Sequence, residues 1–365
     1  MNIFDRVFNE IENRRERILS GKINVIPWGL PRFEEFNPGI EKGKYYIITA
    51  NSKIGKTQIT DFLFVYNAFK QIKLYNLPIK LVIKYFSLEM SKEEKITQFL
   101  CNLLFIKSGM KIIISPTNLR STRKAVDQAI LDHLQEEKQY IDEFLGCVEF
   151  IDNVRNPYGI FNYMRQYALD HGVQHKKIVD YGAGLIEVDD WYEENNPEEY
   201  VLPIVDHYKL LTPEKGGNVQ QAISDLSSRY FIQLRNKYKQ SPIGIQQQAA
   251  SQESVDNMKA GRLRPTLDGL GENKTTQQDA NVILGLFSPF RYHIAEYEGY
   301  DIKFFKDNIR FLEILGGREG GAGTICPLYF NGAVNYFKEL PLPDDQINMN
   351  LTKQIVINNR NNEYK

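Results

Sequence analysis

Residues 50–57 read Ala50-Asn51-Ser52-Lys53-Ile54-Gly55-Lys56-Thr57 and follow the short apolar run Tyr45-Tyr46-Ile47-Ile48. A strand that runs into such an octet and on into a helix is a phosphate-binding loop. A polyphosphate concentrates negative charge on a small group, so its site needs close backbone N–H donors, a helix N-terminus behind them, one cation and one metal-binding hydroxyl. Asn51, Ser52, Lys53 and Ile54 supply the loop, and Gly55 lets the backbone come close. Lys56 is placed to reach the β- and γ-phosphates, and the Thr57 hydroxyl to hold Mg²⁺. Gln58 opens the helical stretch Gln58-Ile59-Thr60-Asp61-Phe62-Leu63-Phe64, apolar enough to pack on a sheet. Ala50 stands where the motif usually has its first glycine, which a loop tolerates if positive φ is not required there. The octet therefore predicts ATP and Mg²⁺ as ligands.

From about Gly43 the chain alternates strands and helices. Segments 44–49, 81–87, 147–151, 201–206 and 241–246 read as strands, with helices at 56–70, 91–107, 123–144, 157–171 and 219–239. That alternation predicts an α/β fold, a mostly parallel twisted sheet with helices on both faces, which binds ligands at the carboxyl ends of its strands. Residues 180–200 interrupt the rhythm as an inserted hairpin or loop, and 251–275 read as a polar, mobile loop. Before the sheet, Ile3, Phe4, Val7, Ile11 and Ile18 recur among charged residues as an amphipathic helix with no core of its own, expected to dock on a neighbouring subunit. The expected organisation is a helix and linker over 1–22, an ATPase domain over 23–338 and a polar, Asn-rich tail over 339–365 that is disordered or grips a partner.

The 365 residues suffice for one large core, and 42% hydrophobic with 25% charged residues is ordinary for a globular chain. A formal net charge of -1 provides no global basic field, so contact with nucleic acid must come from a local patch, including one assembled between subunits. Cys101, Cys147 and Cys326 are too few and too scattered for a disulfide framework or a zinc site. With no apolar run near the ~20 residues of a membrane span, and an N-terminus unlike a signal peptide, the expectation is a cytoplasmic protein without membrane contact.

Four further constellations surround the loop. The strand Val201-Leu202-Pro203-Ile204-Val205-Asp206 ends in an acid suited to the Mg²⁺ shell; Asp180, after Ile178-Val179, is a competing candidate, and the spacing of the next strand favours Asp206. Tyr85-Phe86-Ser87-Leu88-Glu89-Met90 places Glu89 where it could polarise an attacking water, although an acid there also suits the N-terminus of the helix near Ser91. Gln246-Gln247-Gln248 follows another strand, suited to sensing a γ-phosphate or simply to solvation. Arg318 is raised on the glycine-rich turn Gly316-Gly317-Arg318-Glu319-Gly320-Gly321, as a finger toward a phosphate site or as a surface arginine on a hairpin turn.

In this order the pieces resemble the RecA-like ATPase domain of replicative hexameric helicases of the DnaB family, from about Pro27 to Phe337. The likeness begins at Ile26-Pro27-Trp28-Gly29-Leu30-Pro31-Arg32-Phe33 and Pro38-Gly39-Ile40. It continues through Phe86-Ser87-Leu88-Glu89-Met90, through Gly269-Leu270-Gly271-Glu272-Asn273 with Gln277-Gln278-Asp279-Ala280-Asn281-Val282-Ile283, and through Thr324-Ile325-Cys326-Pro327-Leu328-Tyr329-Phe330-Asn331-Gly332. The resemblance implies phosphate and metal roles for Lys56 and Thr57, the catalytic base at Glu89, the metal-shell acid at Asp206, a γ-phosphate sensor at Gln248 and a finger at Arg318 reaching into a neighbouring subunit. It places the DNA-facing loop at Gly271, Glu272 and Asn273. Gly316 replaces a second basic residue, and Gly271 replaces a DNA-contacting arginine. In place of the family's primase-engaging N-terminal domain stand only residues 1–22, an architecture similar to phage helicases and hence to a host-cytoplasm location.

The implied function is an ATP-dependent, ring-forming helicase, a homo-hexamer translocating 5′ to 3′ on single-stranded DNA at a replication fork, with primase or a helicase loader as further partners. Lys209, Lys215, Gly216, Gly217, Lys259, Arg262 and Arg264 are candidate DNA contacts, each equally readable as solvated surface. Two rivals stand beside it: a recombinase-like or signalling ATPase that assembles without unwinding, and a nucleotide-gated replication accessory protein.

Overall fold

The apolar run after Lys44 becomes the strand Tyr46–Ala50, buried along its whole length. Its side chains divide with the period of two: Tyr46, Ile48 and Ala50 join one apolar cluster, while Tyr45 and Ile47 join a second on the other face. Glu199–Asp206 splits the same way, Leu202 and Ile204 against Val201 and Val205. Strands buried on both faces belong in the interior of a parallel sheet, and both lie there. The structure, a computed structural model, describes residues 3–362 apart from 123, 181, 183, 271–273 and 319. The expected loop residues Gly271, Glu272 and Asn273 thus lie outside the described residues.

One nine-stranded sheet runs in the order Tyr336–Glu339, Ile325–Asn331, Ile309–Gly317, Val282–Phe287, Tyr46–Ala50, Ile243–Gln247, Glu199–Asp206, Lys80–Ser87, Val148–Ile151. From Val282–Phe287 to Val148–Ile151 every pairing is parallel, and the remaining strands add on antiparallel. This is the mostly parallel α/β sheet that the alternation predicts. The five expected strands are present with slightly shifted ends.

Departures from the expected helices have local causes. The helix after the loop is α-helical over Lys56–Thr60 and Asn67–Leu74, with a wholly buried π-helical stretch, Asp61–Tyr66, between them. The expected helix at 123–144 breaks into Gln128–Glu136 and Lys138–Leu145, because the backbone leaves helical geometry at Glu137 (ψ 8). Ser91 caps Lys92–Lys107 in a reciprocal capping box with Glu94.

The insertion begins earlier than expected. Gly172–Asp180 pairs antiparallel with Leu185–Glu194 as a long hairpin, leaving Asp180 exposed near its tip, where it accepts a hydrogen bond from the Gly182 N–H at 2.8 Å. The polar stretch after Ser251 carries short helices at Val255–Lys259 and Asp268–Leu270 rather than only loop, and Leu263 and Leu270 are buried. The tail is helical over Gln346–Asn362. Its Met349 and Val356 enter a third cluster with Tyr300, Ile302 and Phe311, and Asn359 Nδ2 donates to the Tyr329 hydroxyl at 2.9 Å. The helix Ile3–Leu19 buries none of its residues, and its Arg14 pairs with Glu41 at 2.6 Å. Among the described residues no helix is long and apolar enough to cross a membrane.

Candidate nucleotide site

Parallel register decides what meets at the carboxyl edge of the sheet. Ser87 is level with Asp206, and Ala50 with Gln247, so the phosphate loop, Glu89, Asp206 and Gln248 all emerge at that edge. Gly55 caps the following helix at φ 109, a left-handed conformation that favours glycine. Buried Arg310 donates from Nε to the Ile54 carbonyl at 2.9 Å and lies 4.4 Å over the Phe330 ring. Asn51 Nδ2 donates to the Tyr292 hydroxyl at 2.7 Å and to Leu263 O at 3.2 Å, and Gln58 Nε2 to Asn335 Oδ1 at 2.7 Å. The loop is thus held at both ends, with Ser52 partly exposed and Lys53 exposed.

The Lys56 ammonium donates to the Asn51 carbonyl at 3.1 Å. Burial lowers its pKa to about 8, against the opposing pull of Asp206. Thr57 Oγ1 donates to Asp206 Oδ1 at 3.0 Å. A hydroxyl and a carboxylate oxygen side by side are the hard donors with which Mg²⁺ and a phosphate chain are held together, so the residues present fit Mg²⁺-ATP. The other Asp206 oxygen faces inward, where Oδ2 accepts from the Tyr85 hydroxyl at 3.0 Å and from Lys95 Nζ at 3.2 Å. Lys95 also donates to Asp61 Oδ2 at 3.0 Å and to the Tyr85 hydroxyl, whose single proton is shared between Asp206 Oδ2 and Asp61 Oδ1, the latter 2.8 Å away.

Glu89 is exposed, and its Oε2 lies 3.8 Å from His207 Nε2. Burial lowers the His207 pKa, opposed by Asp206 and Glu89. Gln248 is buried: its Nε2 donates to Thr49 Oγ1 at 2.9 Å and Thr266 O at 3.1 Å, and its Oε1 accepts from Thr266 N at 3.2 Å. It therefore joins the strand feeding the phosphate loop to the polar stretch 251–275. Lys215 and Gly216 lie on an exposed turn after the Asp206 strand. Arg264 is held by Glu313 at 3.3 Å and by the Tyr297 hydroxyl at 3.2 Å, so of the cationic candidates it is not a free surface charge.

Arg318 is elsewhere. Gly317 pairs with Val282, which pairs with Tyr46, so Arg318 follows its strand at the amino end of the parallel strands. There its Nη2 donates to Gln278 O at 2.9 Å.

Sequence reading passed over Lys95, Asp61 and Tyr85. The signal was present: Lys95 shares one helix face with Phe99 and Leu103 at a spacing of four, and Asp61 interrupts the apolar run from Ile59 to Tyr66. Asp180, the competing acid, is excluded by its place near the hairpin tip.

The phosphate loop on a mostly parallel sheet, with an acid at the end of a nearby strand, sits in a RecA-like α/β fold. Two solved structures share it at a level that shows the fold. One, described as an ATPase domain, is 19% identical, with a TM-score of 0.62, over 93% of this chain and 97% of that one. The other, described as a DnaB-like replicative helicase and its interactions with primase, is 19% identical, with a TM-score of 0.64, over 92% of this chain and 67% of that one. No family model matches the sequence, and no curated protein does.

Proposed function

We propose that the chain is a subunit of an ATP-dependent, ring-forming DNA helicase of the DnaB family that hydrolyses ATP at subunit interfaces while translocating on single-stranded DNA at a replication fork. The observation that carries this reading is the division of the site: Lys56, Thr57, Asp206 and Glu89 gather at one edge of the sheet, and Arg318 stands at the other. A head-to-tail ring, a hexamer in this reading, would unite the two halves. The exposed apolar face of Ile3–Leu19 would dock on the next subunit, and primase or a loader would engage the assembled ring.

When bound, Mg²⁺ would neutralise charge on the β- and γ-phosphates, with Thr57 and Asp206 holding it. Lys56 would turn from the Asn51 carbonyl to the phosphates. Glu89 would accept a proton from the attacking water, and Arg318 of the adjoining copy would stabilise the charge as the terminal phosphate leaves. Gln248 would relay phosphate occupancy through Thr266 to the stretch that ends at Gly271, Glu272 and Asn273. Lys215 and Gly216, with neighbouring lysines, would meet the DNA backbone. The test is ATP hydrolysis stimulated by single-stranded DNA and unwinding of a forked duplex, with Lys56→Ala as control; hydrolysis indifferent to DNA would refute the reading.

A second reading, a recombinase-like or accessory ATPase that switches without unwinding, is favoured by the exposed Glu89 and the fully engaged Gln248 amide. Closed rings against filaments in electron micrographs with an ATP analogue separate the two.

A further inference from the structure

Lys95 is 1% exposed and lies among two buried carboxylates and a buried hydroxyl. Its Nζ is 2.7 Å from the Tyr85 hydroxyl, 3.0 Å from Asp61 Oδ2 and 3.2 Å from Asp206 Oδ2. These groups come from four elements: Asp61 from the helix after the phosphate loop, Tyr85 from the strand leading to Glu89, Lys95 from the helix after Glu89, and Asp206 from the end of its own strand. An apolar cluster of similar volume would often be as stable or more so, so burying such a set calls for a purpose other than stability. What distinguishes its geometry is the unequal use of the Asp206 carboxylate: Oδ2 faces Lys95 Nζ and the Tyr85 hydroxyl it shares with Asp61, whereas Oδ1 faces the Thr57 hydroxyl.

We propose that Lys95 is a positioning residue which, with Asp61 and Tyr85, clamps Asp206 through Oδ2 so that Oδ1 is presented beside Thr57 to the nucleotide's cation. This rests on the nucleotide site proposed above. The clamp also makes the orientation of Asp206 depend on the helix that follows Glu89, so a shift of that helix would alter the cation site.

The proposal is tested by binding of a fluorescent (mant) ATP to the full chain, titrated with Mg²⁺ and repeated in EDTA. Lys95→Met alone strands two buried carboxylates and is expected to weaken the fold, so the informative variant is Asp61→Leu/Lys95→Met, which removes one charge of each sign. The expected result is a folded protein whose affinity in EDTA stays within about twofold of wild type, while the Mg²⁺ needed for half-maximal enhancement rises about tenfold, the loss usual when a ligand's supporting partner is removed. Tyr85→Phe, which deletes one Oδ2 donor without changing shape, is expected to shift the Mg²⁺ requirement in the same direction by a smaller factor. A folded double variant with the wild-type Mg²⁺ requirement would overturn the proposal. Should the double variant not fold, an unshifted Tyr85→Phe would do the same. Absence of Mg²⁺-dependent binding in the wild type would instead remove the nucleotide site itself.

Discussion

Arg318 and Lys56 sit at opposite ends of one sheet. The Lys56 loop leaves the carboxyl end of Tyr46–Ala50, whereas the Arg318 N–H donates to Asn281 O at 2.9 Å, just before the amino end of the adjacent strand. From the level of Asn281, beside Tyr45, to Ala50 at about 3.3 Å per residue separates the two backbones by roughly 16 Å. If this arginine serves a nucleotide, its place assigns it to a neighbouring copy.

Mixing experiments read that division directly. Lys56→Ala and Arg318→Ala are each expected to abolish hydrolysis, with Arg318→Ala still binding ATP. Subunits of the two variants mixed in equal amounts should regain about one quarter of the wild-type sites, because random assembly around a ring pairs an intact loop with an intact finger at that frequency. A mixture as inactive as its components would place both residues in one subunit's chemistry.

Lys56 sets a pH dependence. Its pKa is about 8 in the folded chain against 10.5 for an ordinary lysine, so between these values the unfolded chain binds a proton that the folded site does not. Stability from this group therefore rises with pH across that window, and below it the cost of a buried ammonium is present in full. A triphosphate favours the charged form, so ATP binding at pH 9 is expected to take up a proton, and at pH 7 not to. Calorimetry in buffers of different ionisation enthalpy measures the difference.

Gly269 packs against the Gln248 amide so closely that an added Cβ would lie 1.7 Å from Oε1. Gly269→Ala is expected to displace Gln248, cost about 1–3 kcal/mol of stability in denaturant unfolding and weaken the stimulation of hydrolysis by DNA more than hydrolysis alone.

Met349 tests the C-terminal helix, since it is 6% exposed among core side chains. Met349→Ala is expected to destabilise the fold by about 2 kcal/mol or more, which a denaturant midpoint will show; a surface tail would leave the midpoint unmoved.

The exposed apolar residues of Ile3–Leu19 provide the last test. Phe4→Ser/Ile11→Ser is expected to leave the melting temperature within a few degrees, because neither side chain is buried in the single chain, and to lower the oligomeric state seen by native mass spectrometry.

Local order carried far in this chain. The octet at 50–57, the apolar runs that became interior strands and Asp206 at a strand end were legible because a phosphate loop and a doubly buried strand have short-range signatures. The start of the hairpin was less so. Gly172 follows a helix that ends at Asp170, and the pairing that makes 172–194 one unit is set by the partner strand. The helical tail was hidden for a similar reason: Asn-rich sequence is weakly helical by itself, and Met349, Val356 and Asn359 become helix-stabilising only against the surface they meet.

By itself the sequence determined the alternating sheet and the strand, loop and helix around residues 50–57, since periodicity and glycine placement act within a few residues. Only the tertiary structure decided that the Asp206 carboxylate meets the Thr57 hydroxyl, that Lys95 is buried between two acids, and that Arg318 stands away from its own loop. Those are relations across 111 residues for Lys95 and Asp206 and 149 for Thr57 and Asp206, fixed by parallel register and by the need to pair every buried charge.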